Sequence, residues 1–304
     1  MRHVLSLNDL TTEEIQRVLQ IAADLKAKLA INERPSLLAN HVMGLLFEKP
    51  SLRTRVSFET LSRHLGGSSL FLSKDVGWGE REPLRDFIPI LTGYLDILVI
   101  RAKSHDKVIE ATQHSQCPII NGLTDVSHPC QALADILTVQ EIAGTLKGQK
   151  LAYLGDANNV TYSLALACAK LGVEFRIGAP KGYQFDQSTL EQFNNNASQT
   201  WVTQTADPHE AAAEANFIYT DVWTSMGQEA ETKQRLIDLA DYQVNADIMN
   251  RAAADAKLLH CLPARRGEEV SSEVIDGPAS AIIQQANNRL HAQKGLVAWL
   301  MQVQ

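Results

Sequence analysis

Val42-Met43-Gly44-Leu45-Leu46-Phe47, then Pro50-Ser51-Leu52-Arg53-Thr54-Arg55, then Val56-Ser57-Phe58-Glu59-Thr60-Leu61-Ser62-Arg63-His64-Leu65: this run decides the fold class. Its first part is a short apolar run, which predicts a buried strand, and its last part spaces apolar residues as a helix does. Two hydroxyls and two guanidiniums therefore sit where a strand turns into a helix N-terminus. Free backbone N–H groups and the positive end of the helix dipole both favour an anion there. Arginine adds forked donors that match phosphate oxygens in pairs. The stretch suits a small, doubly charged phosphate. The competing reading has Ser51 capping the helix while Arg53 and Arg55 point into water.

The alternation continues on both sides. Upstream, Thr11-Thr12-Glu13-Glu14 reads as a helix start, followed by Ile15, Val18, Leu19, Ala22, Leu25 and Leu29 at helical spacing. Downstream come a strand at 69–72, a polar loop at 73–81, a helix from about 83 to 94 and a strand at 97–100 ending on Arg101. A helix over 106–114, a strand at 118–120 and a long helix opened by His128-Pro129-Cys130-Gln131 follow. Pro129 suits a first helical position, which brings His128 and Gln131 together at the entrance.

A second series starts at 150–154 and continues with a helix at 162–171, a strand at 173–177 and helices at 190–195 and 208–215. Then come a strand at 217–220, helix over 229–250 broken near Tyr242, a strand at 256–259 and a final helix over about 280–302. Strands alternating with helices imply right-handed crossovers and parallel sheets. The expected fold is α/β with two domains, each a mainly parallel sheet flanked by helices. The first would span 1–143 and the second 144–284, with the last helix, 285–304, free to pack back on the first.

At 304 residues the chain has room for two ordinary domains. Its formal charge of −7 argues against nucleic acid as the main partner, so any basic site must be local. Cys117, Cys130, Cys168 and Cys261 are scattered, with no pair at metal-ligand spacing, and free intracellular thiols are the simplest account. The N-terminus carries neither signal nor transit character, and no run has membrane-spanning length, so a cytoplasmic protein is expected.

Ligands of open parallel sheets gather beyond the carboxyl ends of the strands. Ser51, Arg53, Thr54, Arg101, His128 and Gln131 follow strands of the first series, and Asn159, Asp221 and Cys261 follow strands of the second. Each has a duller alternative. Arg101 could pair with Asp96 or Asp106, His128 could cap a helix, Asp221 could orient a loop, and Cys261 could be buried filler. Asp156-Ala157-Asn158-Asn159 sits like a nucleotide-binding turn, yet Gly155 is its only glycine, which argues against NAD. Trp78, between two glycines, reads as a packed loop anchor sooner than as a ligand.

Taken together these motifs resemble those of the aspartate/ornithine carbamoyltransferase family. Ser51-Leu52-Arg53-Thr54-Arg55 is similar to its Ser-x-Arg-Thr-Arg phosphate signature, and His128-Pro129-Cys130-Gln131 to its His-Pro-x-Gln. Asp221-Val222-Trp223-Thr224-Ser225-Met226-Gly227 and His260-Cys261-Leu262-Pro263 resemble the motifs of its ornithine branch, and Asn287-Asn288-Arg289 resembles the segment that brings one more arginine. The resemblance implies transfer of the carbamoyl group of carbamoyl phosphate to the δ-amine of L-ornithine, within arginine metabolism and in its biosynthetic direction. It implies Arg101, His128, Asp221, Cys261 and Arg289 as catalytic residues. Carbamoyl phosphate would be held by Ser51, Leu52 (through its backbone), Arg53, Thr54, Arg101, His128, Gln131, Cys261, Leu262 and Arg289. Ornithine would be held by Asn159, Asp221, Ser225 and Met226. Neither metal nor organic cofactor is implied.

The resemblance also implies a homotrimer with sites at subunit interfaces, completed by a neighbour's loop corresponding to 73–81. The ornithine branch commonly places a Gln in that loop; here it reads Lys-Asp-Val-Gly-Trp-Gly-Glu-Arg over 74–81, and Trp78 is the candidate to reach across. Rival acceptors fit less well. Aspartate would want basic residues for a second carboxylate, N-acylornithine would leave Asp221 without an amine, and putrescine would leave Asn159 and Ser225 without a carboxylate. A non-catalytic metabolite sensor would be expected to have lost one of the catalytic groups.

Overall fold

The computed structural model describes residues 1–195, 201–224 and 229–302. The chain divides into two compact units, one of residues 1–137 with 287–304 and the other of residues 138–286.

In the first unit, α1 (Thr12–Ala30) begins with a capping box: Thr11 accepts from the Glu14 N–H while the Glu14 carboxylate reaches back to Thr11. Next come β1 (Val42–Phe47), α2 (Leu52–His64), β2 (Ser68–Ser73), α3 (Leu84–Thr92), β3 (Ile97–Arg101), α4 (His105–His114), β4 (Ile119–Leu123) and α5 (Pro129–Ala143). The strands form a parallel sheet in the order β2-β1-β3-β4. Only β2, at an edge, keeps partly exposed residues along its length, while β1 and β3 are buried almost throughout, as strands covered on both faces must be. Gly44 in β1 is there for room: a Cβ would lie 2.4 Å from Leu95 Cδ1.

Helix α2 starts four residues earlier than the apolar spacing suggested. Ser51 is its N-cap and accepts from the Thr54 N–H, so the whole phosphate-type signature forms the first turn instead of preceding it. Capping residues and first-turn polar groups carry no apolar period, which is why periodicity placed the start late.

The second unit contains β5 (Lys150–Leu154), α6 (Asn159–Leu171), β6 (Glu174–Gly178), α7 (Gln187–Asn194), β7 (Val202–Thr205), α8 (Pro208–Ala212), β8 (Phe217–Thr220), α9 (Thr232–Asp238), α10 (Ala246–Arg251), β9 (Lys257–His260) and α11 (Ser272–Ile275). Its parallel sheet has the order β7-β6-β5-β8-β9. Strand β7 was not anticipated. Val202-Thr203-Gln204-Thr205 pairs only with β6 and exposes polar side chains, so it lacks the apolar run that marks a buried strand. The helical stretch expected over 229–250 is instead two short helices and 3-10 turns.

The last helix, α12, covers Ile282–Gln302. Within the first unit it lies against α1 at Gly295, where a Cβ would stand 2.4 Å from the Val18 carbonyl and 2.8 Å from Ala22 Cβ. Ala292, Leu296, Val297, Trp299 and Leu300 are buried there, each large apolar side chain contributing about 1.5–3 kcal/mol. The C-terminal helix thus packs back on the N-terminal sheet domain, as expected. Among the described residues, no helix is long and apolar enough to cross a membrane.

Strand order reverses between β1 and β3 in the first sheet, and between β5 and β8 in the second. Such reversals splay the flanking loops apart and leave a crevice at the strands' carboxyl ends. Ser51 to Thr54 follow β1 and Arg101 ends β3, the two strands that flank the first reversal. Asn158, Asn159 and Asp221 follow those that flank the second.

Candidate active site

In the first unit the polar groups converge around Arg289 of α12. Its Nη1 donates to Gln131 Oε1 at 2.7 Å and its Nη2 to Thr54 Oγ1 at 3.1 Å. One guanidinium therefore links the first turn of α2 to the first turn of α5. Gln131 is held from its other side, with Nε2 donating to Asp135 Oδ1 at 2.8 Å. Ser51 Oγ donates to Thr54 Oγ1 at 3.0 Å. Thr54, Gln131, His128 and Arg289 are all at most 4% exposed. Leu52, by contrast, is 77% exposed, so it can offer a buried ligand little beyond its backbone.

The electrostatics call for an anion. Arg101 is buried, and burial first, then the nearby Arg289 and Arg53 charges, pull its pKa down to about 10. Its Nε donor has no hydrogen-bond partner among the described residues. Like charges concentrated in a low-dielectric site repel until a counter-charge arrives. The other signature guanidinium, Arg55, is engaged elsewhere: Nε donates to Glu59 at 2.9 Å, and the group stacks 3.8 Å from the Phe71 ring centroid.

Burial holds His128 well below the ordinary histidine range, and Arg289 and Arg101 push the same way. The ring is therefore neutral at neutral pH, a donor that adds no charge. The sign for stability follows. Between the unfolded value near 6.5 and the depressed folded value, the unfolded chain binds a proton that the folded chain refuses. This contribution to stability is present above the unfolded pKa and is lost as pH falls, by up to about 1.4 kcal/mol per pH unit. His128→Asn is expected to lose less stability than the unaltered protein between pH 6.5 and 5, read from denaturant midpoints at each pH.

In the second unit, Asp221 follows β8 and is 7% exposed. Its Oδ1 accepts from Cys261 Sγ at 2.9 Å and from the Val222 N–H at 2.7 Å, and its Oδ2 accepts from Asn158 Nδ2 at 3.3 Å. Asn158 escaped the sequence reading, which chose its neighbour. It is the N-cap of α6, accepting from the Val160 and Thr161 N–H groups while its amide reaches Asp221. The signal was present in its position before an alanine-rich helix, because a capping Asn has an amide to spare. Asn159 is the first residue of α6 and half-buried.

Cys261 and Leu262 follow β9, where Leu262 adopts a left-handed φ of 59° ahead of a cis bond to Pro263. His260 Nδ1 accepts from the Leu262 N–H at 2.9 Å, so Nε2 carries the proton facing Glu269 Oε1 at 3.1 Å. Donor atoms of Asp221, His260 and Cys261 lie within 4.8 Å of one another. Both ring nitrogens of His260 are already engaged in the chain, and the thiol donates to the carboxylate. Arg235, buried, donates to the Trp223 carbonyl and the Asp156 carboxylate, which ties the loops after β5 and β8 together. Ser225 and Met226 lie outside the described residues.

The first unit accordingly gathers Ser51, Arg53, Thr54, Arg101, His128, Gln131 and Arg289. The second gathers Asp221 and Cys261, with Asn158 in contact and Asn159 beside it. Trp78 is 2% exposed in the core of the first unit, with Nε1 donating to Glu48 at 2.7 Å, which makes it the anchor of its loop and not a residue free to reach another subunit.

Similarity to known proteins extends over nearly the whole chain. Residues 2–141 match the family description "Aspartate/ornithine carbamoyltransferase, carbamoyl-P binding domain", and residues 147–300 match "Aspartate/ornithine carbamoyltransferase, Asp/Orn binding domain". An ornithine carbamoyltransferase of Bacillus subtilis (strain 168) is 49% identical over 97% of this chain and 92% of its own. One from Methanosarcina acetivorans is 46% identical over 99% of both chains. Among solved structures, the ornithine carbamoyltransferase from Pyrococcus furiosus superposes with a TM-score of 0.95 at 43% identity, covering 99% of this chain and 97% of that one.

Proposed function

This chain belongs to the aspartate/ornithine carbamoyltransferase family, and from that premise we propose that it transfers the carbamoyl group of carbamoyl phosphate to the δ-amine of L-ornithine. The products are L-citrulline and phosphate, within arginine metabolism. The observation that carries this reading is the trio Arg53, Arg101 and Arg289 gathered with neutral His128 at the switch point of the first sheet.

Ser51, Arg53, Thr54 and the first-turn N–H groups of α2, including that of Leu52, hold the phosphate. Arg101 bridges phosphate and carbonyl oxygen. His128 donates to that oxygen, and Gln131 takes the carbamoyl amide. Arg289 supplies charge where the oxyanion forms. On the acceptor side, Asp221 grips the α-ammonium, and Asn159, Ser225 and the Met226 backbone complete the amino-acid grip. Cys261, which donates to Asp221, lies beside the amine grip, and the family resemblance assigns Cys261 and Leu262 to carbamoyl phosphate as well.

The neutral δ-amine attacks the carbonyl carbon and forms a C–N bond. The tetrahedral oxyanion collapses, the C–O bond to phosphorus breaks, and the phosphate leaves with the electron pair. The proton lost by the nitrogen is taken by the departing phosphate. Such a reaction needs positioning and electrostatic stabilisation more than a protein nucleophile. Because free ornithine carries a protonated δ-amine, the rate is expected to rise with pH through neutrality. A flat profile of kcat/KM for ornithine from pH 6 to 9 would contradict the neutral-amine step.

Homotrimeric assembly, with sites completed by the 73–81 loop of a neighbour, is part of the proposal, and light scattering at a mass of three chains tests it. A cytoplasmic location accords with the four free cysteines. The assay for the reaction is purified protein, carbamoyl phosphate and a panel of amines, with colorimetric detection of ureido products. Product from ornithine alone supports the assignment; product from aspartate alone, or from no amine, refutes it.

A further inference from the structure

Glu48 follows β1 directly and precedes Ser51 by three residues, yet it belongs to no recognised motif of the site. Its backbone N–H donates to the Arg101 carbonyl at 2.8 Å. Its carboxylate accepts from three separate segments. Oε2 takes the Lys103 N–H at 2.6 Å, and Oε1 takes Trp78 Nε1 at 2.7 Å and Lys107 Nζ at 3.2 Å. Lys107 Nζ also donates to the Trp78 carbonyl at 2.9 Å and stands 4.3 Å from the indole centroid.

The indole itself sits in an apolar cluster with Leu46, Leu84, Ile88, Leu98 and Ile100. Gly77 and Gly79 on either side take left-handed φ values of 69° and 66°, which L side chains rarely adopt. A Cβ at Gly79 would also come within 2.8 Å of Lys107 Cε. These glycines let the chain fold Trp78 inward onto Glu48.

One carboxylate thus joins the exits of β1 and β3, the 73–81 loop and α4. The exits of β1 and β3 are the two segments that carry Ser51–Thr54 and Arg101. A carboxylate beside an anion site is unfavourable unless it is neutralised, and Lys107 supplies the opposite charge. We propose that Glu48 is a positioning residue of the carbamoyl phosphate half-site, setting the spacing between the Ser51 turn and Arg101 and using Trp78 as a strut. The inference rests on the proposed reaction. A strut of this kind acts on phosphate affinity ahead of the amine, because the two segments it spaces, the Ser51 turn and Arg101, lie on the phosphate side.

The test is steady-state kinetics on Glu48→Gln and Trp78→Phe, with thermal unfolding beside it. Gln keeps the length but turns an amide N–H₂ toward donors. Phe keeps an aromatic ring in the core while removing the indole N–H and part of the ring's volume. Glu48→Gln is expected to raise the KM for carbamoyl phosphate about tenfold, since displaced phosphate ligands lose charge-assisted bonds. Trp78→Phe is expected to raise it about threefold, and both should leave the KM for ornithine within about twofold. Lowered thermal stability with unchanged KM for carbamoyl phosphate would make Glu48 a fold determinant only and overturn the proposal. If Glu48→Gln fails to fold, Trp78→Phe decides alone: an unchanged KM for carbamoyl phosphate overturns it. Absence of carbamoyl transfer in the unaltered protein would instead count against the reaction assigned above.

Discussion

Arg53→Ala is expected to abolish saturable use of carbamoyl phosphate while the protein folds and unfolds as before. Arg53 stands in the first turn of α2, half-buried, and its charge is felt by Arg101. Its loss removes a forked, charge-assisted donor from the place where helix dipole and free N–H groups already favour an anion. Losing one such donor to a developing charge costs about 10²–10³ in turnover, and the loss of ground-state phosphate affinity adds to that. Stability should not suffer, because repulsion within the arginine trio is relieved. Citrulline formation at varied carbamoyl phosphate measures the first part. The upward shift of Tm by inorganic phosphate measures the second and should shrink or vanish. Normal citrulline synthesis by the variant would sink the phosphate assignment.

Asp221→Asn is expected to act on the other substrate. The Asp221 carboxylate accepts from the Cys261 thiol, the Asn158 amide and the Val222 N–H, and it is almost fully buried. Asparagine is close to isosteric but carries no charge, and its amide N–H₂ must face either the thiol or the Asn158 amide, both donors here. The bond from carboxylate to substrate ammonium is lost, and a buried donor is left without an acceptor, each worth about 1–3 kcal/mol. Together these correspond to a fall of about 30-fold to 10⁴-fold in kcat/KM for ornithine. The KM for carbamoyl phosphate should change by no more than about twofold, a split that general unfolding would not produce. Equal losses on both substrates would show that Asp221 supports the fold and does not grip the amine.

These two residues were visible in the sequence for different reasons. Arg53 belongs to a compact local pattern: an apolar strand, a cap and a helix, in which cap, dipole and donors sit within six residues. Asp221 was visible as an acid just past a short apolar strand and through the resemblance of Asp221–Gly227 to a family motif, while its partners Asn158 and Cys261 lie 63 and 40 positions away. Asn158 was passed over because a capping asparagine and a ligand-binding asparagine look alike in one dimension. Trp78 shows the same limit. Flanked by glycines in a polar loop it was a candidate to reach a neighbour, and it proves to be the buried anchor that Glu48 holds.

The sequence by itself determined the α/β alternation, the placement of every strand but β7 and the candidate groups at strand ends; that α12 packs back on the first unit was implied only by the family resemblance. Apolar period and capping chemistry act within about a turn or a strand length, so a linear reading can see them. Tertiary structure alone decided the strand orders β2-β1-β3-β4 and β7-β6-β5-β8-β9, and hence the two reversals that make strand-end residues into neighbours. It alone linked Arg289 to Thr54 across 235 positions and to Gln131 across 158. Those contacts form when the sheets and helices pack, and no local propensity encodes the pairing of groups so far apart in the chain.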